Sequence, residues 1–376
     1  MDPGVSMYLF YSLMYGFFCL CFIAPPTEFV SAGLTIQNMF SSFLGSEEMT
    51  FVEYHIRKTT ATAFIHSLLP LGYYLGLGLF APELSLFALW ELNMALQLLL
   101  SLCILPPLSL GLMVLYWHQD TWDRHPIATQ LAELSNGGSW RAVASSINTE
   151  FRRIDKFASG AHGRRLYVTD SWILKTTTYY LYVAHQNDIN LVLEEAEEHP
   201  LSYENPTAAQ FLNISIRRVE PHLKDFQIRL NALEYSDLRG KLQAQVQNAR
   251  HIVVRQSLSD QFLEAFSSTV SENPGFRPSP HLELEQCIGC MQKESDVKLQ
   301  KNCREGNPPE AGEPAGGPPC VQCFCRPMWC LECMGKWFAS RQDQQRPETW
   351  LSGKAPCPTC RSVFCMLDVV KILKEQ

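Results

Sequence analysis

Paired cysteines near the C-terminus constrain this chain more than any other feature of its sequence. Ten cysteines lie between Cys287 and Cys360. Pairs with two residues between their cysteines include Cys287/Cys290, Cys330/Cys333 and Cys357/Cys360. Two thiolates at this spacing in one turn reach a single Zn²⁺ at about 2.3 Å, and four thiolates complete a tetrahedral structural site. We therefore expect the C-terminal part of the chain to fold around zinc.

The distribution of the other cysteines excludes a disulfide-stapled secreted protein. No cysteine occurs between Cys103 and Cys287, and Cys19, Cys21 and Cys103 lie inside apolar stretches. A length of 376 residues with 46% hydrophobic residues suits two or three domains. The net charge of −7 argues against nucleic acid as the main partner.

Three apolar stretches near the N-terminus predict membrane spans. Residues 7–24 and 61–81 contain no Asp, Glu, Lys or Arg and are about long enough to cross ~30 Å of hydrocarbon. The third stretch is too long for one ordinary span. We place Glu91 at the membrane interface and the span at 93–117, kinked or broken at Pro106-Pro107 because proline removes backbone donors.

These spans define a predicted transmembrane domain over residues 1–118. The alternative for its first stretch is a cleaved signal peptide, but no basic residue precedes the stretch and Pro25-Pro26 follow it. We therefore favour a retained helix. In the second stretch Gly72, Gly76 and Gly78 are small enough to permit close packing of helices.

Basic residues near the spans predict the orientation of the chain. Arg57 and Lys58 lie between the first two spans, and Arg124 and Arg141 follow the third. The positive-inside rule places the N-terminus on the lumenal side and everything after the third span in the cytosol. Zinc thiolates also require a reducing compartment, which agrees with this orientation. A fourth pass at Pro106-Pro107 would invert it.

The sequence of residues 119–275 predicts a cytosolic antiparallel α+β domain. Helical spacing of apolar residues indicates a helix at 140–157, and Ser257 to Asp260 open another that runs to about residue 271. Five strand-like stretches suggest a meander, at residues 166–174, 178–185, 189–195, 211–219 and 226–234. The histidines here lack metal-ligand spacing, and no catalytic constellation is evident. The glycosylation sequon at Asn213 is expected to be unused in the cytosol.

The sequence of residues 276–376 predicts an atypical RING zinc finger that binds two structural zinc ions. The segment 305–319, rich in Pro and Gly, has little to bury and is expected to be a disordered loop. The order of the cysteine pairs resembles the RING cross-brace, in which the first pair shares a metal with the third and the second with the fourth. This predicts one site from Cys287, Cys290, Cys330 and Cys333 and another from Cys323, Cys325, Cys357 and Cys360. Cys320 with Cys323 is the alternative second pair; we favour Cys323 with Cys325.

Cysteine-only ligation leaves a charge of about −2 on each site. Basic residues beside the knuckles are candidates to offset it: Lys293, Arg326, Lys336 and Arg361. Most RING domains carry a histidine ligand, so the absence of one is a departure from the usual pattern.

The closing knuckle, Cys357-Pro-Thr-Cys360-Arg361, resembles that of active ubiquitin-ligase RING domains. The resemblance implies that Pro358 helps to form the surface for a ubiquitin-conjugating enzyme and that Arg361 contacts both this enzyme and its ubiquitin. Trp337 stands where those domains place an aromatic residue in the same groove. Ile288 is the apolar residue of the first knuckle, one position before the usual one, and is a further candidate to contact the conjugating enzyme.

The whole arrangement resembles the transmembrane protein 129 family, through Cys-Arg-Pro-Met-Trp-Cys at 325–330 and Lys-Trp-Phe-Ala-Ser-Arg at 336–341. This resemblance implies a multi-pass ubiquitin ligase of the endoplasmic-reticulum membrane that acts in ER-associated degradation. Its implied partners are a conjugating enzyme, ubiquitin, the ER dislocation machinery and membrane or lumenal client proteins. The alternative is a non-enzymatic, membrane-anchored zinc scaffold. A channel or transporter is less favoured, because His66 and Glu91 are too few to build a pathway.

Overall fold

The protein is described by a computed structural model that covers residues 3–88, 90, 93–135, 138–161, 163–199, 209–219, 224–278, 284–303 and 318–373. The chain divides into two compact units, Met1–Val253 and Val254–Gln376. Glu91 and almost all of the predicted loop at 305–319 lie outside the described residues.

The first unit begins with apolar helices. The helices are α1 (Pro3–Ile23), α2 (Thr27–Ser31), α3 (Ile36–Met39), α4 (Ser41–Leu44), α5 (Phe51–Phe80) and α6 (Met94–Gln119). Among the described residues, α5 and α6 are long and apolar enough to cross a membrane, and Met7–Ile23 with Thr27–Met39 would form a third span bent by 65°. The predicted spans at 61–81 and 93–117 correspond to the second part of α5 and to α6.

Glycines allow α1 to approach α5 closely. The hydroxyl of Tyr15 donates to the carbonyl of Leu69 at 2.8 Å, and a Cβ at Gly72 would collide with that hydroxyl. A Cβ at Gly76 would collide in the same way with the hydroxyl of Tyr11. The small residues of this stretch therefore permit the close packing that the sequence predicted.

Helix α6 continues through Pro106 and Pro107 as a single element, so the predicted span is not divided there. Each proline removes one backbone donor, which leaves carbonyls of the preceding turn without their usual partner. The helix nevertheless continues, and just beyond the prolines the hydroxyl of Ser109 donates to the Pro106 carbonyl at 2.9 Å.

The remainder of the first unit is an antiparallel α+β region, as predicted. It contains α7 (Pro126–Leu134), α8 (Trp140–Phe151), β1 (Phe157–Ala161), β2 (Arg164–Val168), β3 (Trp172–Thr176), β4 (Leu181–His185), β5 (Ile189–His199), β6 (Ala209–Arg218), β7 (Phe226–Asn231) and α9 (Tyr235–Lys241). The strands form two antiparallel meanders, ordered β1-β2-β3-β4 and β5-β6-β7.

Two predicted element boundaries in this region were wrong. The stretch 166–174 is a hairpin rather than one strand, because Thr169 and Trp172 close a tight turn between β2 and β3. The amide of Thr169 donates to the carbonyl of Trp172 at 2.9 Å, and the amide of Trp172 donates to the Thr169 hydroxyl at 3.2 Å. The predicted helix at 140–157 ends at Phe151, and β1 begins at Phe157.

Helix α5 extends beyond its apolar part into the core of the α+β region. Its first turns supply Phe51, Val52 and Ile56, all buried, to a cluster built mainly from α7, α8 and β2 to β4. The Phe51 ring lies 4.2 Å from the Phe151 ring, between centroids. The helix therefore starts ten residues before the predicted span at 61–81, because these turns pack against protein.

The second unit contains α10 (Leu258–Glu272), β8 (Val297–Leu299), α11 (Leu331–Ser340), β9 (Lys354–Pro356), β10 (Val363–Cys365) and β11 (Val369–Lys371). β9 pairs with β10 and β8 with β11, both antiparallel. The hydroxyl of Ser257 caps α10 by accepting the Asp260 amide at 3.0 Å.

Helix α10 packs into the core of this unit. Its buried face, Phe262, Phe266 and Val270, lies in one cluster with residues of α11 and of the C-terminal strands. The compact unit consequently begins at Val254, whereas the sequence placed this helix in the preceding domain and the boundary between residues 275 and 276.

We predict that Phe266→Ala lowers the free energy of unfolding of the second unit by about 3–5 kcal/mol. The Phe266 side chain is fully buried, with its ring 5.6 Å from those of both Phe262 and Phe338, so its removal leaves a cavity. Zinc release during a urea titration of the detergent-solubilised chain measures the change. Leu258→Ala, on the exposed side of the same helix, is the matched control and should change the midpoint little. Equal effects of the two substitutions would contradict this packing.

Candidate metal centre

The first cysteine cluster joins two segments that are far apart in sequence. The sulfur atoms of Cys287, Cys290, Cys330 and Cys333 all lie within 4.8 Å of one another. The Sγ atoms of Cys290 and Cys330 are 3.9 Å apart. Four sulfurs at 2.3 Å from a tetrahedral Zn²⁺ are about 3.8 Å from each other, so the cluster has the size that zinc requires.

Local backbone geometry positions both pairs of this cluster. Cys287 and Cys290 lie on a turn that is closed when the Met291 amide donates to the Cys287 carbonyl at 2.8 Å. Met291 adopts φ = +54°, the left-handed conformation that ends such a turn. Cys330 is the N-cap of α11 and Cys333 lies in its first turn. The positive end of the helix dipole therefore faces two of the thiolates.

The second cluster contains Cys323, Cys325, Cys357 and Cys360, again within 4.8 Å of one another. The Cys323 sulfur lies 3.8 Å from that of Cys357 and 3.5 Å from that of Cys360. Cys357 and Cys360 occupy the turn between β9 and β10, where the Arg361 amide donates to the Cys357 carbonyl at 2.9 Å. The donor set and the spacing fit a second zinc ion.

Burial and backbone donors give the thiols of the clusters unequal acidities. Burial raises the pKa of Cys330 to about 11. Burial also acts to raise the pKa of Cys290, but the amides of Gln292 and Lys293 outweigh it and hold the value at about 7. In the same way donors from Ser362 bring the pKa of Cys360 to about 6 against the effect of burial. Cys290 in the first cluster and Cys360 in the second therefore ionise readily, whereas zinc must displace a proton from a thiol such as that of Cys330.

Three of the basic residues predicted to offset the thiolate charge have carboxylate partners. Lys293 and Lys336 lie 3.1 Å and 3.0 Å from oxygens of Glu332, and Arg326 lies 2.9 Å from one of Glu285. These pairs are exposed and their charges are largely neutralised locally. Backbone N–H groups at the knuckles are the better-placed donors to the sulfurs.

A third cluster, which the sequence analysis missed, contains Cys303, Cys320, Cys365 and Asp368. The described residues therefore provide three possible metal sites, where two were predicted. Eleven cysteines lie between Cys287 and Cys365, three more than two four-cysteine sites require. That surplus of cysteines was the sign in the sequence that pointed to a third site. Cys320 lies in this third group, apart from Cys323.

The residues predicted to contact a conjugating enzyme lie on or next to the knuckles. The indole of Trp337 donates to the Pro356 carbonyl at 2.8 Å, which ties α11 to the start of the closing knuckle. Pro358 is half-buried on that knuckle, and the Arg361 side chain is exposed. Arg361 has φ = +64°, so it is the left-handed residue that ends the turn.

Ile288 is 48% exposed on the first knuckle. Its neighbour Gly289 occupies the position at which the RING resemblance predicts an apolar residue. A Cβ at Gly289 would lie 2.9 Å from the Trp329 ring and 3.0 Å from the sulfur of Cys333. This close approach explains why position 289 holds glycine and leaves Ile288 as the apolar side chain of the knuckle.

Three family models match the chain in succession. Residues 8–128 match the TMEM129 transmembrane domain, residues 153–249 the TM129 PH-like domain, and residues 259–372 the TMEM129 RING domain. No solved structure matches the chain.

Whole-length relatives agree with these matches. The chain is 50% identical to E3 ubiquitin-protein ligase TM129 of Xenopus tropicalis, over 96% of this chain and 97% of that protein. It is 51% identical to E3 ubiquitin-protein ligase TM129 of Mus musculus, over 96% and 97%, and 51% identical to transmembrane protein 129 of Gallus gallus, over 98% of each.

We predict that Cys325→Ser lowers the zinc content of the purified chain by about one ion and destabilises the second unit. Loss of one of four thiolates opens the second cluster and weakens its hold on the metal. Elemental analysis of the detergent-solubilised protein measures the zinc content. Cys19→Ser, in α1, is the control and should leave the count unchanged. Unchanged zinc in Cys325→Ser would exclude Cys325 as a ligand.

Proposed function

The chain belongs to the transmembrane protein 129 family, and from this membership and the geometry of its cysteine clusters we propose that it is a RING-type E3 ubiquitin ligase of the endoplasmic-reticulum membrane. It promotes transfer of ubiquitin from a conjugating enzyme to substrate proteins. The first two clusters are its structural zinc sites, with four cysteines each, arranged as a cross-brace.

The observation that carries the proposal is the position of Trp337, Pro358 and Arg361. None of the three belongs to a cysteine cluster, yet all lie on or next to the closing knuckle. A module that only bound zinc would not require an aromatic residue, a proline and an exposed guanidinium at this place. They form the surface for the conjugating enzyme, and Ile288 on the first knuckle is a further candidate for it.

The mechanism follows from what this surface can supply. It offers no nucleophile, so the chain contributes orientation to the reaction between the ubiquitin thioester and the attacking lysine. The Arg361 guanidinium presents several N–H donors in a rigid fork, which suits it to bridge two protein surfaces. Zinc, when bound, supplies structure and no chemistry at the thioester. Its ligands hold the knuckle that presents Pro358 and Arg361.

The second candidate function is a non-enzymatic zinc scaffold at a membrane. The metal clusters serve either function equally well, so they do not decide between them. The residues outside the clusters decide between the two functions, because only a ligase needs Arg361 to act on bound ubiquitin.

The fold supports three spans with a lumenal N-terminus. The first turns of α5 share a hydrophobic core with the α+β region that follows α6, so both lie on one side of the membrane. α5 and α6 then cross as an antiparallel pair, and α1 crosses before them as one bent span with the segment after it. Among the described residues after Gln119 no helix is long and apolar enough to cross a membrane. The clusters of free thiols favour the reducing cytosol for this side.

Membrane anchoring places the ligase where client proteins leave the endoplasmic reticulum. We infer that its substrates are membrane or lumenal proteins undergoing ER-associated degradation and that the ER dislocation machinery is a partner. Within the chain, the transmembrane part spans residues 1–118, the cytosolic α+β region follows, and the RING closes the chain.

We predict that Arg361→Asn slows discharge of ubiquitin from a preloaded conjugating enzyme at least about tenfold, while zinc content and binding of the enzyme change little. Asparagine tolerates the left-handed backbone of position 361, so the substitution removes the guanidinium without straining the turn. Single-turnover discharge onto free lysine, measured beside a binding titration, separates orientation from affinity. Arg277→Asn is the control, because Arg277 is exposed and lies outside the cysteine clusters and the residues assigned to the conjugating-enzyme surface. Unchanged discharge in Arg361→Asn would favour the zinc scaffold.

We predict that a glycosylation sequon in an N-terminal extension is modified in microsomes, while protease removes the second unit from intact vesicles. Both follow from a lumenal N-terminus and a cytosolic RING. The natural sequon is a poor reporter, because Asn213 lies in the central strand β6 and its amide donates to Glu197 at 2.8 Å. Protection of the second unit, or an unmodified extension, would refute the orientation.

A further inference from the structure

The third cluster is built from three separate segments of the second unit. Cys303 follows β8, Cys320 begins the segment that leads to Cys323, and Cys365 and Asp368 flank the bend between β10 and β11. The three sulfurs and a carboxylate oxygen lie within 4.8 Å of one another. Cys320 is 4% exposed and Asp368 is 2% exposed. The four groups therefore converge in the interior of the unit.

The two oxygens of Asp368 have different surroundings. Oδ1 accepts the amides of Asn302 and Cys303, at 2.8 Å and 2.9 Å. Oδ2 accepts the amide of Cys365 at 3.1 Å and lies 3.4 Å from the sulfurs of both Cys303 and Cys365. Backbone donors thus fix both oxygens, and Oδ2 is the one that faces the thiols. Metal-binding carboxylates are commonly held in this way by hydrogen bonds to the atoms that do not ligate.

The charge of Asp368 requires a partner that the described residues do not provide. Three amides donate to the carboxylate, but no Lys, Arg or His in the described part of the chain forms an ion pair with it. Buried carboxylates are normally paired with a cation or bound to a metal. Here the carboxylate lies beside the thiols of Cys303, Cys320 and Cys365, which are soft ligands once ionised.

We infer that Cys303, Cys320, Cys365 and Asp368 bind a third structural zinc ion. Three thiolates and one carboxylate oxygen supply the four ligands of a tetrahedral site, and thiolates select zinc over calcium or magnesium. The ion gives the buried carboxylate a cation to bind. The filled site carries about −2, as a four-cysteine site does, and the amides that donate to Asp368 offset part of this charge. Binding releases the three thiol protons to solvent, and no oxidation is involved.

This ion would join segments of the second unit that lie beyond the two four-cysteine sites. Cys303 and Cys320 flank residues 304–319, so a shared metal closes that segment into a loop. Cys365 and Asp368 anchor the same metal to the start of β11, which pairs with β8. Cys320 then has a structural function of its own, and the pair Cys320/Cys323 is divided between two neighbouring sites. The inference is independent of the proposed ligase activity, because it concerns metal content alone.

Elemental analysis of the full chain, purified in detergent without chelator, tests the inference. We expect three zinc ions per chain in the unmodified protein and about two in Cys320→Ser. Asp368→Asn should lose the same ion more readily to a chelator. Cys19→Ser, in α1, is the control and should retain three ions. Two zinc ions in the unmodified protein would overturn the assignment.

A second measurement does not depend on whether any variant folds. The unmodified chain is alkylated with and without a strong chelator, and the modified cysteines are located by mass spectrometry. Zinc binding predicts that Cys303, Cys320 and Cys365 are protected until the chelator is added. Immediate alkylation of all three would exclude the metal. A Cys303–Cys320 disulfide in the unreduced chain would also overturn the proposal, because those two sulfurs would then be unable to ligate.

Discussion

Thiolate ligation of zinc is the constraint on which the second unit depends. Each RING cluster draws two cysteines from one segment and two from another, so a metal ion replaces long-range packing that a short module cannot otherwise obtain. Cys323 and Cys357 belong to the same buried cluster as Phe338 and Phe364, and the metal sites and the apolar core are therefore parts of one structure. Loss of zinc should weaken both together, since metal binding and folding are coupled in such modules.

The apolar core extends the module beyond its metal sites. Helix α10 covers α11 with Phe262 and Phe266, and a Cβ at Gly335 of α11 would meet Leu263 and Phe266. This close approach buries one face of α11, the helix that carries Cys333 and Trp337. The face of the knuckles on which Pro358 and Arg361 lie is thereby held on a rigid base. A surface that acts by orienting a partner needs such rigidity, because its contribution to catalysis is positional.

In the first unit a single helix joins the membrane part to the α+β region. The first turns of α5 pack beside α8 and β2, and its later turns pack against α1 and α6. Polar side chains are buried in the first half, among them Thr59 and Thr60, whose hydroxyls donate to carbonyls one turn earlier at 2.8 Å. The two environments share one helix that is continuous from Phe51 to Phe80, with Pro70 inside it. The membrane orientation and the placement of the α+β region are consequently coupled.

The sequence by itself determined what depends on local spacing. The two-residue gaps of the cysteine pairs identified zinc ligation, the uncharged stretches identified the apolar helices, and the strand-like stretches identified an antiparallel α+β region with meanders. The tertiary structure decided what depends on partners distant in the chain. Only convergence in space separates Cys320 from Cys323 and unites it with Cys365 and Asp368. The same holds for the first turns of α5 and for α10, whose apolar faces fit several possible neighbours. Spacing specifies which atoms one turn can bring together, but the packing of the whole chain selects the segment that completes each site.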